Sequence, residues 1–432
     1  MKGKGSIGIG LMGLGVVGGG VVKALQEKGE SLTKQVGCPL NLRRVLVRDS
    51  AKPRSAKVAP RLLTTEVEDI LSDPKIDIVI EVMGGETPAL DYVREALSRG
   101  KHVVTANKEI MAKHGRGLLN LAYEHGVDLL FEASVGGGIP LIGPFKKDLM
   151  ANQVSTVYAI INGTTNYILT RMANDGLDFA TALRQAQELG YAEPDPTNDI
   201  EGKDAAYKLA ILASLAFRAD VRADDVYHEG ISRLSARDFR YARELGYIIK
   251  LLAIAKREDG SIQVRVHPAF LPQGLLLAKV DGVFNAVQVD GDLTGRVLFY
   301  GRGGGAAPTS SAILADLISL AQDIHLGVNT RPKLRLDPAR VLKPMADIQT
   351  RYYLRMSVAD RPGVLAQIAR ILGDHLISIA SVVQKEADEK AQTAELVIMT
   401  HPAREQAVQE ALRKVEGLPV VEEINNFVRV EA

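Results

Sequence analysis

The first strongly apolar segment of the chain leads directly into three closely spaced glycines. Residues 6–11 have the composition of a β-strand, and Gly13, Gly15 and Gly18 follow in a GxGxxG pattern at the start of a helix predicted over residues 16–28. Such glycines permit a tight turn, close backbone approach to a pyrophosphate and close helix–strand packing. The free N–H groups of the helix N-terminus attract an anion. The pattern predicts a dinucleotide-binding strand–turn–helix unit.

Short apolar segments alternate with helical segments through the rest of the first 142 residues. Strands are predicted at 42–47, 76–82, 102–104 and 127–132, and helices at 88–99 and 109–125. This alternation is typical of a parallel sheet with crossover helices. The chain is therefore predicted to be an α/β protein with a Rossmann-type NAD(P)-binding domain over residues 1–142.

The pattern changes after the first domain. Residues 143–307 mix strands with one long helical block, which predicts an α+β domain. Residues 308–328 are predicted to form a helix that returns to the nucleotide domain. Residues 329–350 contain Pro332, Pro338 and Pro344 and form a predicted linker. Residues 351–432 read as strand, helix, strand, strand, helix, strand, a ferredoxin-like βαββαβ order.

Composition excludes several classes of protein. The net charge of +1 over 432 residues gives no field that would attract nucleic acid or an acidic membrane. Because Cys38 is the single cysteine, neither an intrachain disulfide nor a cysteine-rich zinc site is possible, which favours a reducing compartment. The N-terminal 25 residues resemble a signal peptide superficially, but their glycines disfavour that alternative. A cytoplasmic protein with no membrane and no nucleic-acid partner is expected.

The end of the second predicted strand bears on cofactor choice. An NAD-binding unit usually has an acidic residue there, which binds the ribose hydroxyls. In this chain LRRVLV runs into Arg48, with Asp49 one position later. An arginine suits the 2′-phosphate of NADP, whereas a cluster of surface basic residues is the alternative. The sequence thus favours NADP and leaves NAD open.

Two lysines lie where ligand-binding residues are expected. Lys108 ends the segment VVTANK just after a predicted strand, and ligand sites of α/β sheets lie beyond the carboxyl ends of strands. Lys208 follows Asp204 by four residues in KDAAYKLAILASLAF, so the two side chains share a helix face. The helix is apolar nearly all round, which indicates burial. A buried pair favours a functional site over an exposed ion pair.

Two further segments carry ligand-binding groups. The segment GYAEPDPTNDIEGKD at residues 190–204 contains five acidic residues. It is either a solvated acidic loop or, beside a buried lysine, a pocket for an ammonium group. The segment FEASVGGGIP at residues 131–140 combines Glu132 with a glycine turn whose carbonyls suit a hard cation. A simple hinge between domains is the alternative for that segment.

Taken together, these motifs resemble the homoserine dehydrogenase family over the first 330 residues. The matching segments are GLGVVGGG (13–20), VVTANK (103–108), EASVGGGIP (132–140), INGTTNYIL (161–169), LGYAEPDPTNDIEGKDAAYK (189–208) and GRGGGAAPT (301–309). The resemblance implies reversible, NAD(P)-dependent interconversion of L-homoserine and L-aspartate 4-semialdehyde. It also implies that residues 143–307 form the substrate-binding, catalytic and oligomerisation domain of a homodimer or homotetramer. The pathway that it implies is threonine, isoleucine and methionine biosynthesis.

The resemblance further implies roles for individual residues. Lys208 would be the catalytic acid/base and Lys108 a second catalytic lysine, while Glu193 and Asp204 would bind the substrate amino group with support from Asp199. A monovalent cation, expected to be Na⁺, would be bound by Glu132 and the carbonyls of Val135, Gly137 and Ile139. The implied cofactor-binding residues are Gly13, Leu14, Gly15, Val16, Val17, Gly18, Arg48, Gly84, Gly85, Thr105, Lys108, Gly190, Glu193, Gly303 and Gly305. The family mostly has alanine where this chain has Gly304, which puts only the rigidity of that turn in doubt.

Residues 351–432 resemble an ACT domain, an amino-acid-sensing module. The resemblance rests on the strand YYLRMSVA, the loop DRPGVL at residues 360–365 and the helix that follows. Pro362 is expected in the first helical turn, where free N–H groups would bind a carboxylate. The implied effector is threonine. A generic ferredoxin-like interaction domain is the alternative.

Two rival functions differ in class or substrate. A non-catalytic amino-acid sensor with a Rossmann fold would not need to keep acid/base groups such as Lys108 and Lys208. A dehydrogenase for another amino-acid semialdehyde is also possible, but the acylating type needs a catalytic cysteine. Cys38 lies outside every site motif, which argues against that type.

Overall fold

The computed structural model describes residues 4–54, 56–328, 334–338, 341–388 and 392–431. The elements up to residue 146 are β1 (Ile7–Met12), α1 (Val16–Glu27), α2 (Gly29–Val36), β2 (Leu40–Leu46), β3 (Leu63–Thr64), α3 (Glu68–Leu71), β4 (Ile78–Glu81), α4 (Ala89–Ser98), β5 (His102–Thr105), α5 (Lys108–Glu124), β6 (Leu129–Leu130) and α6 (Ile142–Lys146).

The next elements are β7 (Val154–Ile160), α7 (Gly163–Asp175), α8 (Phe179–Glu188), α9 (Thr197–Ile200), α10 (Lys203–Phe217), β8 (Tyr227–His228), α11 (Ala236–Glu244), β9 (Tyr247–Glu258), β10 (Ser261–Pro272), β11 (Phe284–Gly291), β12 (Gly295–Arg302) and α12 (Ala306–Leu326). The last are β13 (Val341–Leu342), β14 (Gln349–Ala359), α13 (Val364–Asp374), β15 (Ile379–Asp388), β16 (Thr393–Thr400), β17 (Ala403–Arg404), α14 (Glu405–Glu416) and β18 (Val421–Val430).

The N-terminal strands form a parallel sheet in the order β3-β2-β1-β4-β5-β6. This order, with a reversal beside β1, is that of a Rossmann fold. Ile7, Ile9 and Leu11 are fully buried in β1, as expected for a parallel strand covered on both faces. The predicted parallel sheet with crossover helices is confirmed. The strand predicted at 127–132 is shorter, because Glu132 begins a 3₁₀ turn.

The chain divides into two compact units, each made of three stretches. One comprises residues 1–157, 207–226 and 284–340, and the other residues 158–206, 227–283 and 341–432. In the first unit α12 packs on α1 and on the parallel sheet, with Ile313 and Leu317 buried against Val21 and Val22. Helix α12 therefore belongs to the same compact unit as the parallel sheet. The five-part division predicted from the sequence stays a prediction.

The second unit is built around a long antiparallel hairpin of β9 and β10. Asp259 and Gly260 connect the strands with positive φ angles of 48° and 76°, as a two-residue hairpin turn requires. β10 also pairs in parallel with β18, and the sheet continues in the order β18-β14-β16-β15. The C-terminal sheet is thus continuous with the hairpin.

The predicted C-terminal βαββαβ order is confirmed as β14-α13-β15-β16-α14-β18. Apolar residues of α13 and α14, such as Ile368 and Val408, pack on Leu354, Leu396 and Ile398 of the sheet. A two-residue strand, β17, is an addition that the sequence does not predict. In the predicted linker, residues 329–333 and 339–340 lie outside the described residues, and β13 pairs with β10.

No helix within the described ranges is long and apolar enough to cross a membrane.

Candidate active site

The glycine-rich turn between β1 and α1 has the geometry that an anion-binding helix start requires. Gly13 has a φ of +102°, and a Cβ atom on Gly18 would lie 2.2 Å from the Gly13 carbonyl oxygen. By contrast, a Cβ atom on Gly15 would meet nothing within 4 Å. Gly15 is also the N-cap of α1, and no side chain caps the helix. The first N–H groups of α1 are therefore presented to open space, which fits a pyrophosphate.

A second helix start lies beside the first. The Ser310 hydroxyl in α12 donates to the Val17 carbonyl in α1 over 3.3 Å, so the N-terminal ends of the two helices are in contact. Gly305, the N-cap of α12, has a φ of +104° and provides no side-chain cap. Two uncapped N-termini, each with a partial positive charge, thus adjoin the predicted phosphate position.

Glu81 is a site residue that sequence reasoning missed. It ends β4, is fully buried and accepts hydrogen bonds from the Thr105 hydroxyl (2.6 Å) and the Met83 N–H (2.7 Å). Burial raises the pKa of its carboxyl group, although hydrogen bonds from Thr105 and from the Met83 and Gly84 N–H groups oppose the shift. Glu81 therefore fixes two predicted cofactor residues, Gly84 and Thr105. In the sequence Glu81 is the next-to-last residue of the segment IDIVIEV (76–82), and that position alone does not indicate a site.

Asn107 links the neighbouring predicted residues. Its side-chain oxygen caps α5 by accepting from the Glu109 and Ile110 N–H groups, and its amide nitrogen donates to the Gly85 carbonyl over 2.7 Å. Lys108 is consequently the first residue of α5, and its side chain is half-buried. The cap holds Gly85 and Lys108 at the carboxyl edge of the sheet.

The two predicted lysines lie on adjacent helices of the first unit. In α5 the ammonium group of Lys113 lies 5.7 Å from the ring centre of Tyr207 in α10. Lys108 precedes Lys113 by about 7.5 Å along the helix axis, and Lys208 follows Tyr207 directly. The predicted burial of α10 is confirmed, and Lys208 itself is half-buried.

The predicted acids Asp199 and Asp204 are brought together by Asn162. Its amide nitrogen donates to Asp199 over 2.6 Å and to Asp204 over 2.8 Å, while its oxygen accepts the Thr165 N–H and caps α7. Asp204 is only 5% exposed and lies one turn before Lys208 on α10. Asn162 lies in the motif INGTTNYIL, but only the fold shows that it connects the two acids.

Glu193 lies on a more open segment. The residue is exposed, and its carbonyl accepts from the Gln187 side chain over 3.2 Å. Gly190 lies two residues after the end of α8, with only Leu189 between them. Its φ is +73°, and a Cβ atom on it would meet nothing within 4 Å. The segment is thus accessible to a ligand, and the roles of both residues stay predictions.

The predicted cation loop is ordered by Glu132. One oxygen of its carboxylate accepts the Leu141 and Ile142 N–H groups (2.6 and 2.9 Å), and the other accepts the Gly143 N–H (2.7 Å). A carboxylate has about four acceptor positions, so one remains on the second oxygen. The Gly136 carbonyl, which is not a predicted ligand, accepts the Ile139 N–H.

The cation loop packs against the turn at residues 303–305, hereafter the 303–305 turn. A Cβ atom on Gly137 would lie 2.6 Å from the Gly303 carbonyl oxygen, and the Gly138 N–H donates to the Arg302 carbonyl over 3.3 Å. The structure therefore places these two predicted ligand-binding segments in direct contact within the first unit. Clusters of three or more His, Cys, Asp and Glu side chains that could hold a metal are absent from the described residues.

Arg48 is exposed and lies two residues after the end of β2, with only Val47 between them. The Asp49 carboxylate is engaged locally, because it accepts the Ala51 N–H over 2.8 Å. Arg54 binds the carbonyls of Asp49 and Lys52, which fixes the backbone of this loop.

The loop of the C-terminal module differs from expectation in one detail. Helix α13 begins at Val364, so Pro362 precedes the helix instead of lying in its first turn. The reason is Gly363, the N-cap, whose φ of +90° interrupts the helical conformation. No side chain caps α13, and a Cβ atom on Gly363 would meet nothing within 4 Å. Asp360 accepts a hydrogen bond from the Gln384 amide over 3.2 Å.

The parallel sheet and the uncapped glycine turn define a dinucleotide-binding α/β protein. The sequence matches the family described as homoserine dehydrogenase, NAD binding domain, over residues 13–132, homoserine dehydrogenase over 140–318 and ACT domain over 352–418. The chain belongs to the homoserine dehydrogenase family and is an oxidoreductase with a C-terminal ACT domain.

Individual relatives agree with this assignment. A homoserine dehydrogenase of Synechocystis is 44% identical, with 90% of this chain and 92% of the relative covered. The crystal structure of a homoserine dehydrogenase from Thiobacillus denitrificans is 43% identical, with a TM-score of 0.93 and 100% of this chain and 99% of that chain covered. A hyperthermophilic archaeal homoserine dehydrogenase in complex with NADPH is 26% identical, with a TM-score of 0.63. The match covers 76% of this chain and 100% of that chain.

Proposed function

We propose that this protein catalyses the reversible NAD(P)-dependent interconversion of L-homoserine and L-aspartate 4-semialdehyde, on the branch towards threonine, isoleucine and methionine. The observation that carries the proposal is the Asp199–Asn162–Asp204 cluster, one helical turn before Lys208. The cluster offers a site for an ammonium group beside an acid/base group. An enzyme that oxidises the alcohol of an amino acid needs both a site for the ammonium group and a group that exchanges the hydroxyl proton.

The proposed chemistry divides the work among named residues. NAD(P), held by the glycine turn and the two helix starts, would supply or accept the hydride at carbon C4 of the substrate. Asp204 and Glu193 bind the substrate ammonium through charge-assisted hydrogen bonds, and Asp199 supports them. In the reducing direction Lys208 Nζ gives a proton to the oxygen on C4, and in the oxidising direction it takes that proton back. Lys108 contributes positive charge that stabilises the developing alkoxide.

The glycine turn and the two helix starts would hold the pyrophosphate of NAD(P). The uncapped start of α1 supplies free N–H groups, and the 303–305 turn lies at the start of the neighbouring helix. We favour NADP, since Arg48 is exposed just after β2, where an NAD-binding unit usually has its acidic residue, and the Asp49 carboxylate is engaged with Ala51. The archaeal relative was solved with NADPH, which is consistent with this preference.

A monovalent cation such as Na⁺ would be bound by Glu132 and the carbonyls of Val135, Gly137 and Ile139. The loop provides one carboxylate charge with an acceptor position left, which suits a monovalent ion better than a divalent one. By contact with Gly303, the cation would help to hold the 303–305 turn.

Threonine is the proposed effector of the ACT domain, acting at the loop of residues 360–365 in a homodimer or homotetramer. The ACT domain shares one compact unit with Asp199 and Asp204, and its strand β18 pairs with β10. Helix α7, which Asn162 caps, packs on β9 of the same hairpin. A shift of the ACT sheet therefore has a route to the substrate acids through packed elements.

A substrate lacking the amino group tests the ammonium site. We expect oxidation of L-homoserine with NADP⁺ and strongly reduced kcat/KM for 4-hydroxybutyrate, which has the same alcohol but lacks the ammonium group proposed to bind Asp204. The measurement is NADPH formation at a series of concentrations of each alcohol. Equal kcat/KM values for the two alcohols would contradict the proposed substrate.

A further inference from the structure

Asn285 in β11 has a buried amide without hydrogen-bond partners. The residue is 1% exposed, and neither its Oδ1 nor its Nδ2 atom is paired. Leaving both atoms unpaired costs free energy, whereas an apolar side chain would avoid the cost. A buried amide without a partner therefore calls for an explanation, and a partner provided in another state of the protein is one.

The Asn285 amide lies against Gly303 of the 303–305 turn. A Cβ atom on Gly303 would lie 2.1 Å from Asn285 Oδ1 and 2.5 Å from Nδ2, so the amide lies directly against the Gly303 backbone. Asn285 is also the strand partner of Gly301 in the β11–β12 hairpin. On another side, Gly303 is covered by Gly137 of the cation loop. The turn is thus enclosed by an unpaired amide and a second glycine loop.

The same turn leads into the uncapped start of α12, whose N-terminal end contacts α1. A dinucleotide bound at these helix starts would change the surroundings of the turn. The backbone N–H and C=O groups of the turn are the polar groups that a small shift would bring to the Asn285 amide. One amide can donate to a carbonyl and accept from an N–H at the same time.

We infer that Asn285 is a positioning residue of the dinucleotide site, whose amide hydrogen-bonds the main chain of the 303–305 turn when the dinucleotide binds. The inference rests on the proposed function, which supplies NAD(P) as the ligand. Bonds made in the bound form alone stabilise that form relative to the free protein. Asn285 therefore increases dinucleotide affinity without touching the substrate.

Substitutions of Asn285 separate this role from simple packing. Asn285→Val and Asn285→Ala should weaken NADPH binding about 5- to 50-fold, the effect of losing one or two hydrogen bonds. Binding is measured by fluorescence titration of the full-length protein with NADPH. The thermal unfolding temperature of ligand-free Asn285→Val should be unchanged or higher, because two unpaired polar atoms are removed. The KM for NADPH should rise, and the KM for L-aspartate 4-semialdehyde should not.

Gln288→Ala is the matched control, since Gln288 is a second buried amide in β11 on the opposite face. It should leave the NADPH dissociation constant unchanged. Unchanged NADPH affinity in both Asn285 variants would overturn the inference and leave the proposed function standing. Failure of both variants to fold would also overturn it, since Asn285 would then be structural. Absence of NADPH and NADH binding by the unmodified protein would overturn the proposed cofactor and the inference together.

Discussion

At the scale of single residues, the proposed chemistry depends most on Lys208. We expect Lys208→Ala to lower kcat by roughly 10²–10⁴, the usual effect of losing a general acid/base. The variant should fold, because the side chain is only half-buried. Lys203→Ala, an exposed lysine at the start of the same helix, is the control and should keep its activity. Retention of more than about half the activity by Lys208→Ala would rule out this role.

Cofactor preference is a second property of one residue. Arg48→Asp should reduce kcat/KM for NADP⁺ more than for NAD⁺, because the 2′-phosphate loses a cation and meets a like charge. The same charge change at exposed Lys52 (Lys52→Asp) controls for the general field of the surface. The measurement is steady-state kcat/KM of each variant with NADP⁺ and with NAD⁺. Equal losses with NADP⁺ and NAD⁺ would show that Arg48 does not contact the ribose phosphate.

His267 should make the stability of the protein depend on pH. Complete burial lowers its pKa from 6.5 to about 3, with further lowering by the Arg429 and Arg265 guanidinium groups. The unfolded chain therefore takes up a proton below pH 6.5 that the folded protein refuses, so stability falls as the pH falls. Between pH 7.5 and 5.0 the loss from this residue is about 2 kcal/mol.

His267→Gln tests that pH effect, because Gln does not titrate and can still accept from Arg265. Chemical unfolding at pH 7.5 and 5.0 should show a smaller loss of unfolding free energy in the variant than in the unmodified protein. The carboxyl of Glu431, whose pKa Arg265 and Lys256 hold at about 2 against the opposing effect of burial, titrates below this window. Equal losses in both proteins would mean that His267 is protonated in the fold.

Single residues also show how far the sequence could be interpreted. Gly13, Gly15 and Gly18 were predictable because each of their requirements is local to one strand–turn–helix unit. The roles of Glu81 and Asn285 were not predictable. Glu81 is bound by Thr105, 24 residues further along the chain, and Asn285 lies against Gly303 at the other end of a hairpin. Non-local contacts of this kind have no signature in one sequence.

At the scale of elements, the start of α7 joins a helix cap to the proposed substrate site. Asn162→Ala should lower stability by about 1 kcal/mol through loss of the cap and should raise the KM for L-homoserine. Asn162→Ser separates the two effects. Serine can cap α7, but its shorter side chain cannot reach both Asp199 and Asp204, so only the KM should rise. A normal KM in the serine variant would confine Asn162 to capping.

The periodicity of apolar residues predicts most of the helices and strands, but it does not predict which strands pair. The helix predicted at 109–125 is α5, Lys108–Glu124, because its apolar spacing and the Asn107 cap agree. The parallel pairing of β10 with β18, by contrast, joins Ala269 to Arg429 and could not be anticipated. The short strands β13 and β17 likewise exist only because a partner strand is beside them.

At the scale of the whole molecule, the ACT domain is joined to the rest of its unit by buried charges. Arg355 binds Asp238 in α11 over 2.8 Å and Glu395 over 2.9 Å, and Arg429 binds Glu229 and Glu405. Truncation after residue 343 would leave Asp238 and Glu229 without these arginines, which is strongly destabilising for a buried charge such as Asp238. Truncation is therefore an unsuitable test of regulation.

Gly363→Asp is the cleaner test of regulation by threonine. The position has open space around it, but its φ of +90° disfavours any residue with a side chain, and the new carboxylate would repel the carboxylate of the effector and compete with it for the free N–H groups of α13. We expect homoserine oxidation to continue while inhibition by threonine is lost. Leu376→Ala, at an exposed residue of the same module, is the control and should stay sensitive. Undiminished inhibition of Gly363→Asp would place the effector elsewhere.

The most direct measurement of the central claim is the absorbance of NAD(P)H during reaction of the purified full-length protein with L-homoserine and NADP⁺ or NAD⁺. We expect reduced cofactor to form only when homoserine is present, together with an equimolar amount of aspartate 4-semialdehyde. The absorbance signal should be lost in Lys208→Ala. Failure of the folded protein to reduce either cofactor with L-homoserine would contradict the proposed function.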